Sequence, residues 1–560
     1  MGEFSGPVWR AGGFSLFIDR AQSANENLAH SIYLFGVRDM CGRLEHIHVR
    51  SGHTSIRVSG KSISVDIPSG GHSTVDRALY VQLVTKIFVR NPGGGDDTGG
   101  AHRFSVVGLP VPKRSAFANG LPRRNFDPRR HIFDIETEHM TLSLTAKDRE
   151  MFRGDHGPAT KMAMSILVRM AEIAGAKELL DISGAHIDST VYIGDAGLEF
   201  AERLAGLGAK VAVPTTLNVS GLDEHHWQEW AVPNDWARQA YRQMIAYQSM
   251  GTIPTWTCAP YQTEMKPSFG QQIAWGESNA IVFANSVLGA RTERYPDLFD
   301  ICCAITGRAP NIGLHRMENR AGELLLSLRG IPDLVQLSDD FYPVLGNLIG
   351  KLARERIPVL DGQCIFPSED QLKALGAAAA SSGAVALFHM VGVTPEAPTR
   401  EAAFQGHDPQ ESITVTMDML RESRRELTHT DSEALDLVVL GSPHFSLAEF
   451  KLLAPLVHGN RKHPNVKFLV TSSRAMTQLA KQAGFLDVLQ DFGAQLTVDT
   501  CILTSPMLPP EVKYLMTNSA KFAYYTPGLL DRQITFGSLK DCVASAVEGK
   551  VVRDETLWTD

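Results

Sequence analysis

The chain has 560 residues, and its 54 Lys and Arg against 62 Asp and Glu give a net charge of −8. At 43% hydrophobic, 21% charged and 8% aromatic, it is neither a disordered, collagen-like nor disulfide-scaffold chain, and its length implies two or more packed units with a large buried core. The mildly acidic balance leaves no electrostatic footprint for nucleic acid or anionic lipid, so neither is expected as a partner.

The first residues show no charged stretch followed by a clean apolar run, so a secretory signal is not expected and a cytoplasmic protein is. Residues 1–139 hold short β-like runs (SIYLFGV, HIHVRSG, SISVDIPSG, KIFVRN) separated by Gly clusters, which predicts a compact β-rich or mixed domain. The basic, Pro-containing stretch 112–130 reads as a linker. Met140 opens a second region, 140–560, where helices and strands alternate.

In that region the stripe Met162, Ile166, Leu167, Met170 and Ile173 predicts a helix over 161–174. A strand at 178–182, a helix at 197–207 and a strand at 210–214 follow. The uncharged run 374–395 contains Ser381, Ser382, Gly383 and His389, and reads as helix, turn and buried strand rather than a membrane span. Strands at 435–440, 466–470 and 495–499 complete an α/β pattern with parallel sheets.

Ligands of such sheets bind beyond the carboxyl ends of the strands. Polar clusters stand where those ends are expected: Ser183 to Asp188 with His186, Pro214 to Asn218 with Thr216, Gly441 to His444, and Asp499 to Cys501. Capping and turn roles stay open for each, but four in one chain favour a catalytic cleft.

The odd count of seven cysteines in a chain expected to be intracellular argues against a disulfide framework, and the lack of any C-x-x-C pair excludes a zinc ribbon and a ferredoxin-type run. Cys258, Cys302, Cys303 and Cys501 each read singly as small buried hydrophobes, as do Cys41, Cys364 and Cys542. A thiolate triad of Cys258, one of Cys302 and Cys303, and Cys501 would suit a soft metal or an iron–sulfur cluster. The segment 274–286 carries Glu277, Ser278 and Asn279 amid apolar residues, which also fits a buried, well-capped helix. Asp223-Glu-His-His-Trp227 looks metal-binding, but its adjacent histidines lack i, i+4 spacing and an exposed loop is expected.

From about Met140 to the end, the chain resembles the large domain of aconitase X, a branch of the aconitase superfamily. The strings that carry the resemblance are G-A-H-I-D at 184–188, V-P-T-T-L-N at 213–218, T-C-A-P-Y-Q at 257–262, W-G-E-S-N-A-I-V-F-A-N-S-V-L-G-A-R-T at 275–292, I-T-G-R-A-P-N-I-G-L-H at 305–315 and V-D-T-C at 498–501. Residues 1–139 resemble the family's small swivelling domain more weakly, through Phe35-Gly-Val, Cys41-Gly-Arg43, Ser59-Gly-Lys61 and Ile67-Pro-Ser-Gly70. The family's serine loop usually reads P-S-G-R-G-S; here Pro68-Ser-Gly-Gly-His-Ser73 has lost the arginine and gained His72, and Ser73 takes the place of the active-site serine.

The resemblance implies a multi-layer α/β large domain with parallel sheets and a small β-rich swivelling domain. It implies a hydro-lyase of hydroxylated carboxylic acids, a part in hydroxyproline metabolism, and a single chain acting as a monomer on a small-molecule hydroxy acid. The fused domain order matches the type that converts cis-3-hydroxy-L-proline to Δ1-pyrroline-2-carboxylate. Ser73 would be the base and an iron–sulfur cluster, [2Fe-2S] by the resemblance, the Lewis acid. The cluster would be held by Cys258, Cys302 or Cys303, and Cys501. His186, Asp188, Thr216, Asn218, Glu277, Ser278 and Asn279 would position substrate or supply a proton. Two other readings stand beside this one. Dehydration of mevalonate 5-phosphate would need a basic pocket, for which Arg308 is a candidate, and the altered serine loop would suit a non-catalytic iron–sulfur sensor.

Overall fold

In the computed structural model, residues 142–559 are described with their side chains, and residues 1–141 only through the backbone of six strands. Those strands form two antiparallel three-stranded sheets, β1 (Trp9–Ala11), β2 (Phe14–Ile18) and β3 (Ile32–Phe35), then β4 (Ile47–Ser51), β5 (Thr54–Ser59) and β6 (Ser62–Asp66).

The remainder builds three successive α/β layers. The first holds β7 (Leu179–Asp181), β8 (Ala185–Ile187), β9 (Thr215–Leu217), β10 (Ala274–Trp275) and β11 (Arg308–Pro310). Strands β10-β8-β9 lie parallel, and β11 pairs antiparallel with β7. The helix Pro158–Ile173 covers them because Ala163, Met164, Leu167, Val168 and Ala171 recur at i, i+3 and i+4 and all turn inward. The expected strand at 210–214 starts later, at Thr215. Pro214 has no amide to give a ladder, and the N–H groups of Val211 and Ala212 bond instead to Met250 and Ala304 carbonyls.

The second layer is the parallel sheet β14 (His389–Met390), β13 (Pro358–Asp361), β12 (Leu324–Ser327), β15 (Glu411–Thr414), in that spatial order. The uncharged run divides as expected into the helix Glu369–Ser382, a turn and the buried strand β14. Among the described residues no helix is long and apolar enough to cross a membrane.

The third layer is a five-stranded parallel sheet in the order β18 (Gln495–Val498), β17 (Lys467–Ser472), β16 (Leu437–Phe445), β19 (Tyr514–Thr517), β20 (Gln533–Phe536). Its central strands are buried along nearly their whole length, as a sheet covered on both faces requires. From β16 the chain winds outward one way through β17 and β18, and the other way through β19 and β20. The loops after β16 and β19 therefore part at this switch point, which is where open sheets of this kind take their ligands.

Candidate active site

Two carboxyl ends supply the site. In the first sheet the parallel register sets Trp275, His186 and Thr216 side by side. Two residues on, Glu277, Asp188 and Asn218 leave the sheet on the same face, because side chains alternate with period two. Asn218 donates its amide to Asp188 Oδ1. His186 Nδ1 lies 2.8 Å from Thr216 Oγ1, its buried Nε2 has no partner among the described residues, and burial holds the ring neutral with its pKa down to about 3.

Asp188 and Asp300 crowd together here. The Asp188 amide donates to Asp300 Oδ2 at 2.6 Å, from the first turn of the helix Phe299–Thr306. Burial first, then the neighbouring Glu277, Asp297 and Asp300, pushes the Asp188 carboxyl well above the usual carboxylate range. Burial, with Asp297 adding, brings Asp300 up to about 7. Gly276 is required in this packing: a Cβ there would lie 2.6 Å from Asp300 Oδ2 and 2.8 Å from Asp188 Cβ.

Glu277 caps the helix Ser278–Ser286. Its Oε2 accepts the Ala280 N–H at 2.8 Å and the Asn279 amide, which leaves Oε1 to accept from Lys521 Nζ at 2.6 Å. Asn279 also donates to the Cys258 carbonyl at 3.0 Å and accepts from the Tyr261 hydroxyl at 2.7 Å. Ser278 is half-buried in the first turn.

The third sheet contributes the loops of its switch point. Gly441, at φ +94 and with Thr471 O only 2.1 Å from where a Cβ would stand, lets β16 break register before Phe445. His444 follows and makes three connections to the two cysteine-bearing loops. Its backbone N–H donates to Cys258 Sγ at 3.3 Å, its Nδ1 lies 3.0 Å from Thr257 Oγ1 and its Nε2 lies 2.9 Å from the Thr500 carbonyl. A carbonyl only accepts, so Nε2 carries the hydrogen and Nδ1 accepts from Thr257. Burial keeps this ring neutral as well, with its pKa down to about 4.

Cys258 and Cys501 thus share one charged neighbourhood. Burial pushes the Cys258 thiol up to about 12 and raises Cys501 as well, and the Lys521 ammonium opposes the rise in both. Burial alone would lower Lys521, but Glu277 and the two thiols outweigh it and raise the ammonium above its ordinary value. Cys302 and Cys303 lie elsewhere, fully buried in the core beneath the first sheet, with Cys302 Sγ donating to the Leu298 carbonyl at 3.4 Å. Cys364 is exposed on the loop that follows β13.

Among the described residues no group of three or more His, Cys, Asp or Glu is arranged to hold a metal ion. The donor chemistry suits two ligands of a sulfur-bound group at Cys258 and Cys501, and the three-thiol set expected with Cys302 or Cys303 is not assembled. Ser73 lies outside the described residues. Arg308 is not free for a phosphate: its guanidinium is held by Asp148 at 2.9 Å, Asp181 at 2.6 Å and the Leu179 carbonyl at 3.0 Å. His225 and His226 are exposed, as expected of a loop, whereas Asp223 is buried and accepts the Val498 N–H at 3.2 Å.

Sequence reasoning missed Lys521 and Asp300. A usable signal for Lys521 is Ser519, an N-cap directly after a buried strand, which places a helix start and its first-turn lysine at a carboxyl end.

Comparison with known families places this geometry. The aconitase X first, second and third domains match residues 141–318, 324–425 and 435–548, one for each sheet layer. The chain belongs to the aconitase X family. Within aconitase X, it is 48% identical over 418 residues to the cis-3-hydroxy-L-proline dehydratase of Pseudomonas aeruginosa, covering 74% of this chain and 72% of that one. It is 39% identical over 391 residues to the phosphomevalonate dehydratase large subunit of Methanothermobacter thermautotrophicus, covering 69% of this chain and 94% of the relative. The crystal structure of Thermococcus kodakaraensis aconitase X in its holo-form superposes with a TM-score of 0.65 at 32% identity, over 72% of this chain and all (100%) of that one.

Proposed function

We propose that this chain is a hydro-lyase that removes water from cis-3-hydroxy-L-proline and yields Δ1-pyrroline-2-carboxylate. The observation that carries the reading is the carboxyl edge of β10-β8-β9, where Asp188, its carboxyl held well above the usual carboxylate range, neighbours Glu277, and where Lys521 is the cation joined to Glu277 among the described residues. The curated dehydratase relatives supply the reaction class. Mevalonate 5-phosphate is the second substrate reading, because relatives of that name match as well. It lacks a phosphate partner in Arg308, which is fully engaged with Asp148 and Asp181.

In this reading residues 1–139 form the small domain, and Ser73 is the base that takes the proton beside the carboxylate at C2. The 3-hydroxyl leaves with a proton from Asp188, whose carboxyl is held well above the usual carboxylate range by burial and its acidic neighbours. The C2–H and C3–O bonds break, a C2=C3 double bond forms, and the enamine tautomerises to the Δ1-imine. Asn218 orients Asp188, while the neutral His186 fixes Thr216. An iron–sulfur cluster, implied by the family, would take Cys258 and Cys501 as ligands, and no step above runs through it.

The test is a deuterium label at C2 of cis-3-hydroxy-L-proline under anaerobic conditions. Slowed turnover of the labelled substrate supports rate-contributing abstraction of that proton, and label retained in the product contradicts the reading.

A further inference from the structure

The ion pair between Glu277 and Lys521 has a geometry that helix capping does not require. Glu277 is already fixed through Oε2, which accepts the Ala280 N–H and the Asn279 amide. Its second oxygen, Oε1, is turned away from the helix and meets Lys521 Nζ at 2.6 Å. The two side chains are only 7% and 11% exposed, and they come from different sheet layers, Glu277 after β10 and Lys521 after β19 at the switch point of the third sheet. A buried pair is costly to desolvate and rarely the most stable filling of such a space, so its retention asks for a use.

An α-amino acid carries its ammonium and its carboxylate on atoms flanking a single carbon. A protein carboxylate and ammonium in direct contact form the mirror of that arrangement. When such a ligand enters, the protein pair opens, each half exchanges one charged partner for another, and no charge is left unpaired.

We propose that Glu277 and Lys521 together read the zwitterion of the substrate: Lys521 takes its carboxylate and Glu277 Oε1 takes its ring ammonium. The inference rests on the hydroxyproline reading above and deepens it, because it makes the pair the source of preference for an amino acid over a purely anionic hydroxy acid. A site built to pair a charged group rejects a ligand that lacks it more strongly than an apolar pocket rejects a missing methylene. Lys521 and Glu277 therefore act as specificity residues, separate from the proton transfers assigned to Ser73 and Asp188.

The experiment is calorimetric titration of the full chain with L-proline and with cyclopentanecarboxylate, which keeps the ring and carboxylate and lacks the nitrogen. Wild type should bind L-proline more tightly by about tenfold or more, the effect of one charge-assisted hydrogen bond. E277Q should abolish that preference and keep the carboxylate affinity. K521M should weaken both ligands by about tenfold or more. Since one-sided neutralisation leaves a buried charge, E277Q/K521M is the folding control, and it should be as compact as wild type while showing no preference. An E277Q protein that still prefers L-proline, or a K521M protein that binds both ligands as wild type does, overturns the proposal. Wild-type turnover of cis-3-hydroxy-L-proline is measured alongside: turnover with unaltered preference in the variants sinks only this inference, and absent turnover sinks the substrate reading beneath it.

Discussion

The backbone N–H of His444 donates to the sulfur of Cys258 at 3.3 Å, although the two residues are separated by 186 positions in the chain. The same histidine reaches the Thr500 carbonyl, one residue before Cys501. A single neutral imidazole therefore ties the Cys258 loop of the first layer to the Cys501 loop of the third.

His444→Gln should cost about 1–3 kcal/mol at pH 8, because the Thr257 hydroxyl and the Thr500 carbonyl are left buried without a well-placed partner. The pKa of His444 is depressed in the folded protein, from 6.5 to about 4. Below pH 6.5 the unfolded chain binds a proton that the folded one refuses, so wild type loses stability as the pH falls toward 4. The variant does not share this loss. Chemical denaturation should show the gap between the two proteins shrinking from pH 6.5 to pH 4, and a constant gap would contradict the account.

Iron and sulfide should follow the cysteine geometry. Cys258→Ala and Cys501→Ala should each release iron from anaerobically prepared protein. Cys302→Ala and Cys303→Ala should retain it, and each should lower stability by about 1–2 kcal/mol through a small core cavity. Metal analysis paired with thermal unfolding separates the two classes. Iron lost on Cys302→Ala with the fold intact would bring that thiol back into the ligand set.

Asp188→Asn should lower kcat by about 100-fold or more, the contribution of a positioned general acid, with little change in KM. The raised pKa of Asp188 also sets the sign of the pH profile. Its acid form is lost as the pH climbs through that raised value, so wild-type turnover should decline on the alkaline side. A pH–rate profile that stays flat into alkaline solution removes Asp188 from the leaving-group step.

Ser73→Ala should abolish turnover while iron content and unfolding temperature stay at wild-type values. Unchanged turnover would assign the base to another residue.

Many of the candidate residues are legible along the chain, because they stand on short strands or one or two residues beyond them. His186 and Asp188, Thr216, and Glu277 in the 275–292 string were all legible as polar residues ending buried segments. Lys521 was not, since only the switch between β16 and β19 brings a lysine near the C-terminus to a glutamate 244 positions earlier. The adjacent thiols limit a sequence reading for a different reason. Cys302 and Cys303 lie on a helix buried all round, where both faces pack apolar neighbours and sequence spacing does not tell a ligand from a core residue. Arg308 is a candidate for a phosphate pocket in the sequence, but Asp148 and Asp181 claim it from separate elements.

The most direct test offers anaerobically purified protein cis-3-hydroxy-L-proline and mevalonate 5-phosphate in parallel, with mass spectrometry following the loss of water from each. The account predicts dehydration of cis-3-hydroxy-L-proline alone. Dehydration of mevalonate 5-phosphate alone would contradict it.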